Sequence, residues 1–130
     1  MNRVIKFRAW DIEKEEMGFL TSNALKELML NDCFEKLQEQ YDIMQFTGLK
    51  DSKGKETYEG DILKSKLSRL SLSDKDTEEV LSVVKFSKGS FRAILHNIIE
   101  RYYGAQYEAC RDFSDFEVIG NIYENPELLK

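Results

Sequence analysis

Apolar and polar residues alternate in short stretches along this chain, and that alternation predicts a β-rich fold. Val4–Trp10 reads as a strand, with Ile5, Phe7 and Ala9 on one face and Lys6, Arg8 and Trp10 on the other. Asp11–Glu15 is a polar turn, and Glu16–Leu20 returns as its hairpin partner. Tyr41–Phe46 reads as a strand that leads into a turn-rich stretch between Gly48 and Gly60. Glu59–Leu63 then opens a buried strand, with Gly60 supplying a backbone conformation that other residues resist. There Asp61 is placed to bond neighbouring backbone N–H groups as in an Asx turn. Val80–Phe86 and Ser90–Leu95 form a hairpin around Ser87-Lys88-Gly89, and Val83, Val84, Phe86, Phe91 and Leu95 are assigned to the core. Phe116–Tyr123 is a further strand, in which Gly120 signals a bulge or a close backbone approach.

Helical spacing is confined to a few places. Leu30, Phe34, Leu37 and Tyr41 repeat at helical intervals, and Asp32 with Glu35 marks a start, which predicts a helix over Cys33–Gln40. Ile98, Ile99, Tyr102, Tyr103 and Tyr107 suit a short helix within Asn97–Arg111, ended by Gly104. Asn125 is placed to cap a last turn that begins at Pro126, with Glu127 at its positive end and Leu128 and Leu129 pinning the tail. Lys64–Glu79 has no period of its own and reads as a mobile loop.

At 130 residues the chain is expected to be one domain covering 1–130, long enough to bury a core without staples. Its apolar share of 42% and charged share of 33% place it among globular rather than disordered chains. Cys33 and Cys110 read as reduced thiols of a cytosolic protein. Neither an apolar leader after Met1 nor a bilayer-length apolar run is present, so the expected location is the cytoplasm.

The net charge of −5 is uneven: residues 1–49 carry −3, residues 50–92 carry +2 and residues 93–130 carry −4. Nucleic-acid binding needs a basic surface that releases counterions from phosphates, and only the middle third offers one. Lys64, Lys66 and Arg69 are its candidate anion-facing residues. Lys6, Arg8 and Trp10 form a second candidate surface, aromatic and cationic, although a covered Trp with Lys and Arg stems lying along it is the simpler reading. Tyr102, Tyr103 and Tyr107 are a third candidate, weighed against a packing role.

Catalytic chemistry finds no footing. Asp51, Lys53 and Glu56 fail as a calcium loop, because lysines occupy the third and fifth positions and Gly54 falls at the fourth. Asp61 and the lone His96 lack partner groups for acid–base work. No phosphate-binding glycine loop, dinucleotide fingerprint or zinc spacing occurs. The protein is therefore expected to be no enzyme and to use no cofactor or metal.

Three segments carry a family resemblance: IKFRAWD at Ile5–Asp11, QFTGLKDSKGKETYEGDIL at Gln45–Leu63 and EVIGNIYENPELL at Glu117–Leu129. As a set they resemble the YopX-like family of small phage and prophage proteins, whose activity is not established. The resemblance implies a mainly β fold with short helices, of α+β class, built on an SH3-like small barrel with an added N-terminal hairpin and helix. For a phage protein the cytoplasm is the host's. The leading functional expectation is a small binding module for a host or phage protein, with nucleic-acid binding through the basic middle segment and homo-oligomeric self-assembly as alternatives. Residues 21–40 and 64–79 lack the family's hallmark residues.

Overall fold

A computed structural model describes residues 4–30, 38–66, 79–96, 108–109 and 113–130. The chain is mostly β. Strands β1 (Phe7–Asp11), β2 (Glu16–Leu20), β3 (Tyr41–Lys50) and β4 (Glu56–Tyr58) form one sheet in the order β2-β1-β3-β4. Strands β5 (Asp61–Lys66), β6 (Glu79–Ser87), β7 (Ser90–Leu95), β8 (Glu108–Ala109) and β9 (Glu117–Asn121) form a second, in the order β8-β7-β6-β5-β9. Every pairing is antiparallel. Helix α1 spans Ser22–Leu30, and a 3-10 turn closes the chain at Pro126–Leu129.

The first hairpin forms where the alternation places it. Asp11 Oδ1 accepts the N–H groups of Glu13 (3.1 Å) and Lys14 (2.9 Å), which organises the polar turn. The β6–β7 turn is tighter than the three-residue loop expected. Ser87 pairs with Ser90, and Lys88 and Gly89 both sit at positive φ, +50° and +81°, as a two-residue hairpin of matching twist requires.

The two sheets are joined by the segment between β3 and β5. Asp51 is buried and bonds three backbone N–H groups: Lys53 (2.9 Å) and Lys55 (2.8 Å) through Oδ1, and Val118 of β9 (2.9 Å) through Oδ2. Ser52 N–H donates to Phe116 O at 2.8 Å beside it. Gly60, at φ +83°, donates to Val84 O (2.8 Å) and accepts from Ile122 N–H (2.9 Å). A Cβ there would stand 3.3 Å from Met44 Sδ, so the side chains of Met44 and Ile122 crowd the position as well. Leu63, Val84, Ala93, Phe113 and Phe116 form a buried cluster against this junction.

Gly120 lies at the expected bulge, and what approaches it closely is a side chain rather than backbone. The β5–β9 register shifts between Ile62 and Leu63, and a Cβ on Gly120 would lie 2.5 Å from Asn125 Oδ1. Asn125 is therefore turned toward β9, with Oδ1 accepting from Asn121 N–H at 3.3 Å, and it makes no side-chain cap to the last turn. That corrects its expected capping role. Asn121 Oδ1 instead takes the N–H groups of Tyr123 (3.0 Å) and Glu124 (2.8 Å). The tail is held as anticipated, with half-buried Leu128 and Leu129 and with His96 Nε2 at 2.7 Å from Leu129 O.

Two further expectations change, and two helices fall mostly outside the described residues. Phe86 is 58% exposed, because its rung with Phe91 lies one step from the hairpin turn, beyond the core that covers Val84. The mobile loop expected over 64–79 is strand at both ends, since Lys64, Ser65 and Lys66 pair with Leu81, Val80 and Glu79. The short helix expected within 97–111 and ended by Gly104 lies outside the described residues, and beyond Gly104, Glu108–Ala109 form a short strand on β7. Most of the Cys33–Gln40 helix also lies outside them, although residues 38–40 are helical, and α1 precedes it where no helix was assigned.

Candidate functional site

Of the three candidate surfaces, the first is broken up, with Lys6 exposed, Trp10 half-buried and Arg8 interior. Arg8 is buried, not presented with Lys6 and Trp10 on a surface. Its Nη2 donates to Asp61 Oδ1 at 2.7 Å and to Glu59 O at 3.1 Å, and its guanidinium carbon lies 4.8 Å from the Tyr58 ring centre. Asp61 Oδ2 accepts Tyr58 N–H at 2.8 Å, so the aspartate does bond the backbone, three residues back rather than ahead. Burial pushes the Asp61 carboxyl above its ordinary value, against the opposing pull of Arg8 and the Tyr58 N–H. Trp10 is half-buried and stacked on Tyr123 at 5.6 Å between ring centres, and Lys6 is paired with Glu56. Burial and the bonded Asp42 carboxylate raise Tyr123. The covered-Trp reading is the one this geometry supports.

The second surface is different. Lys64 stands at the end of the five-stranded sheet, in a cleft of about 270 Å3 lined by Ser52, Ser65, Glu79, Ser114, Asp115 and Glu117. The β3–β4 turn contributes Ser52, β5 Lys64 and Ser65, the start of β6 Glu79, and the approach to β9 the remainder. Lys64 Nζ lies 3.7 Å from Glu79 and 4.0 Å from Glu117 Oε2. Glu117 Oε1 also pairs with Lys53 at 2.8 Å. The hydrogen bond and charge of Lys53 hold the Glu117 carboxyl below the usual range, so it stays ionised under mildly acidic conditions. Ser65 is only 6% exposed, yet among the described residues its Oγ has no hydrogen-bond partner.

Lys64, expected to face anions together with Lys66 and Arg69, stands in different company among the described residues. Carboxylates and serines surround it, where a phosphate-facing patch needs unopposed cations. Lys66 lies in β5 with its side chain undescribed, and Arg69, Tyr102, Tyr103 and Tyr107 lie outside the described residues, as do Cys33 and Cys110. The serines and acids of the cleft went unremarked because strand register, not spacing along the chain, assembles them. The nearest signal was the polar pair Ser114-Asp115 set between two core phenylalanines. Among the described residues no group of three or more His, Cys, Asp or Glu is placed to hold a metal ion, and no helix is long and apolar enough to cross a membrane.

Comparison with known proteins bears on the fold more than on the site. The crystal structure of protein EF1440 from Enterococcus faecalis is similar over 99% of this chain and 100% of its own, at 25% identity and a TM-score of 0.58. No curated protein matches the chain. The family model for YopX proteins matches residues 6–130, which takes in all three hallmark segments but for Ile5, and the chain belongs to the YopX family.

Proposed function

We propose that this protein is a small, non-enzymatic binding module that works by protein–protein contact, using the cleft around Lys64 against a basic partner surface. The observation that carries this reading is the composition of the cleft among the described residues: three carboxylates and three hydroxyls around one lysine, on a chain of net charge −5. Electrostatic complementarity of this kind selects and orients a partner. The family resemblance suggests a phage or prophage origin, and the host cytoplasm as the place where partner and protein meet. The two sheets, joined through Gly60 and Asp51, support the further reading of an SH3-like barrel carrying the β1–β2 hairpin and α1 as additions.

Capture from host lysate tests the proposal. Wild-type protein should retain a partner that a Glu79→Lys/Glu117→Lys variant loses, and retention of nothing above background removes the reading. Nucleic-acid binding is the weaker alternative, since Lys6, Arg8, Lys53 and Lys64 all face carboxylates. Salt-sensitive binding of DNA or RNA at low ionic strength would reverse that order. Self-assembly is favoured by one observation: β2 is an edge strand, and its Phe19 is 72% exposed. Light scattering across micromolar concentrations decides it.

A further inference from the structure

We propose that β2 pairs antiparallel with β2 of a second copy of this chain, about a twofold axis at Gly18, joining their two four-stranded sheets into one. This gives the self-assembly reading a defined interface and stands independently of the Lys64 cleft. The first support is which sheet edge is left open. Among the described residues the sheet edges are β2, β4, β8 and β9. Strand β4 has three residues and β8 two. Strand β9 is bulged against β5, and its Val118 and Asn121 N–H groups are taken by Asp51 Oδ2 and Asn125 Oδ1. Strand β2 has five residues in unbroken register with β1. From Met17 to Leu20 it has none of the charge, proline or bulge that normally blunts an edge.

The second support is the direction of its backbone groups. Phe46 N–H donates to Lys6 O at 2.9 Å and Ile12 N–H to Gln40 O at 3.0 Å, so the even-numbered residues of β1 turn their backbone toward β3. The odd-numbered Phe7, Ala9 and Asp11 turn theirs toward β2, where they stand opposite Leu20, Gly18 and Glu16. Met17 and Phe19 therefore point their N–H and C=O groups away from β1, along the open edge. A second copy centred on Gly18 sets each Met17 opposite the other copy's Phe19, and each such rung exchanges a pair of backbone hydrogen bonds.

The third support is that this register suits the strand to itself. Met17 and Phe19 share one face of the sheet, and Phe19 is 72% exposed. The pairing sets a thioether against each exposed phenyl ring, a favourable contact. Glu16 falls opposite Leu20 and Glu15 opposite Thr21, so no like charges meet. Gly18 meets its own copy at a non-hydrogen-bonded pair, where antiparallel chains come closest. Its φ is not positive and a Cβ there would meet nothing within 4 Å, so the single chain accepts a side chain at this position. A twofold pairing of this kind is closed, which stops assembly at the dimer.

The test is sedimentation velocity of the full chain and its variants from micromolar to millimolar concentration. Wild type should pass from monomer to dimer and no further. Gly18→Lys and Gly18→Glu each set like charges against each other on the axis, and each should weaken dimerisation about tenfold while keeping the wild-type circular dichroism spectrum. An equimolar mixture of the two should dimerise again, because lysine then faces glutamate. Met17→Pro removes an N–H that β1 does not use, so the hairpin should persist and the dimer weaken. A dimer that Gly18→Lys leaves intact, or a mixture no better associated than either variant alone, overturns this interface and leaves self-assembly by another route. Growth beyond the dimer overturns it too. If either Gly18 variant unfolds, Met17→Pro decides, and an undiminished dimer overturns the inference. A wild type that stays monomeric at millimolar concentration overturns the inference and the self-assembly reading together.

Discussion

Two of the ion pairs of strand β5 share the same chemistry and have opposite character. At one end Asp61 meets Arg8, with side chains 2% and 10% exposed and 2.7 Å apart. Three residues on, Lys64 meets Glu79, with side chains 35% and 60% exposed and 3.7 Å apart. The first pair is locked by further bonds to Glu59 O and Tyr58 N–H and by the Tyr58 ring. The second keeps its acids within reach of solvent. One strand thus divides charge into frame and surface, and the division follows from whether the backbone also engages each charged group.

The largest expected effect breaks the frame. Asp61→Asn keeps an acceptor for Tyr58 N–H but leaves the Arg8 guanidinium buried without its counter-charge, and should cost about 3–5 kcal/mol in urea unfolding. Adding Arg8→Met should restore most of that, because the buried charge then disappears with its partner. If the double variant is no more stable than Asp61→Asn, the pair is not the source of the loss.

Asp51→Asn comes next. One oxygen can still serve Lys53 and Lys55, but an amide NH2 turned toward Val118 N–H faces a donor, so a cost of about 2 kcal/mol is expected. The pH dependence tests the same residue. Burial pushes the Asp51 carboxyl up, but bonds from Val118, Lys55 and Lys53 outweigh it and hold it below its ordinary value. A carboxyl lowered by folding contributes stability that is complete above the unfolded value and disappears as pH falls through the folded one. Asp51→Asn should therefore flatten acid unfolding below about pH 4, the unfolded carboxylate range. An unchanged acid limb refutes this role.

These two aspartates show how far the sequence could be read. The stretch Gln45–Leu63 is legible as architecture because its signals are local: glycines at turns and aspartates beside backbone N–H groups. Gly48, Gly54 and Gly60 all have positive φ. What sequence could not supply is the far partner. Val118 is 67 residues from Asp51, and Arg8 is 53 from Asp61. Arg8 reads as a surface cation because strand alternation assigns faces without revealing that both are covered there. The cleft was hidden for the same reason. Glu79 and Glu117 meet Lys64 only through the pairing of β5 with β6 and β9, and neither residue is unusual where it stands. Helix α1 was missed because its neighbour sequence offered a stronger heptad-like spacing a few residues later.

Gly120→Ala probes the seam between frame and surface, where β9 turns into the tail. The added methyl meets Asn125 Oδ1 at 2.5 Å, but that is the end of a side chain able to rotate, so the expected cost is about 1 kcal/mol. Removing the obstacle with Asn125→Ala should recover part of it in thermal melts. Losses that simply add in the double variant would place the strain in the backbone and not in this contact.

The smallest effect is the sharpest test of the division. Lys64→Met removes the ammonium from its two half-exposed acids and retains the stem, so stability should change by no more than about 0.5 kcal/mol. A double-mutant cycle with Glu79→Gln should give a coupling near zero, and nearer still at high salt, because screening acts on solvent-exposed pairs. If Lys64→Met instead costs as much as Asp51→Asn, the cleft belongs to the frame. Its carboxylates would then be committed to holding β5, β6 and β9 together, leaving them unavailable to a partner. A negligible cost makes the Lys64–Glu79 contact one that the fold does not depend on, which is the condition a recognition surface has to meet.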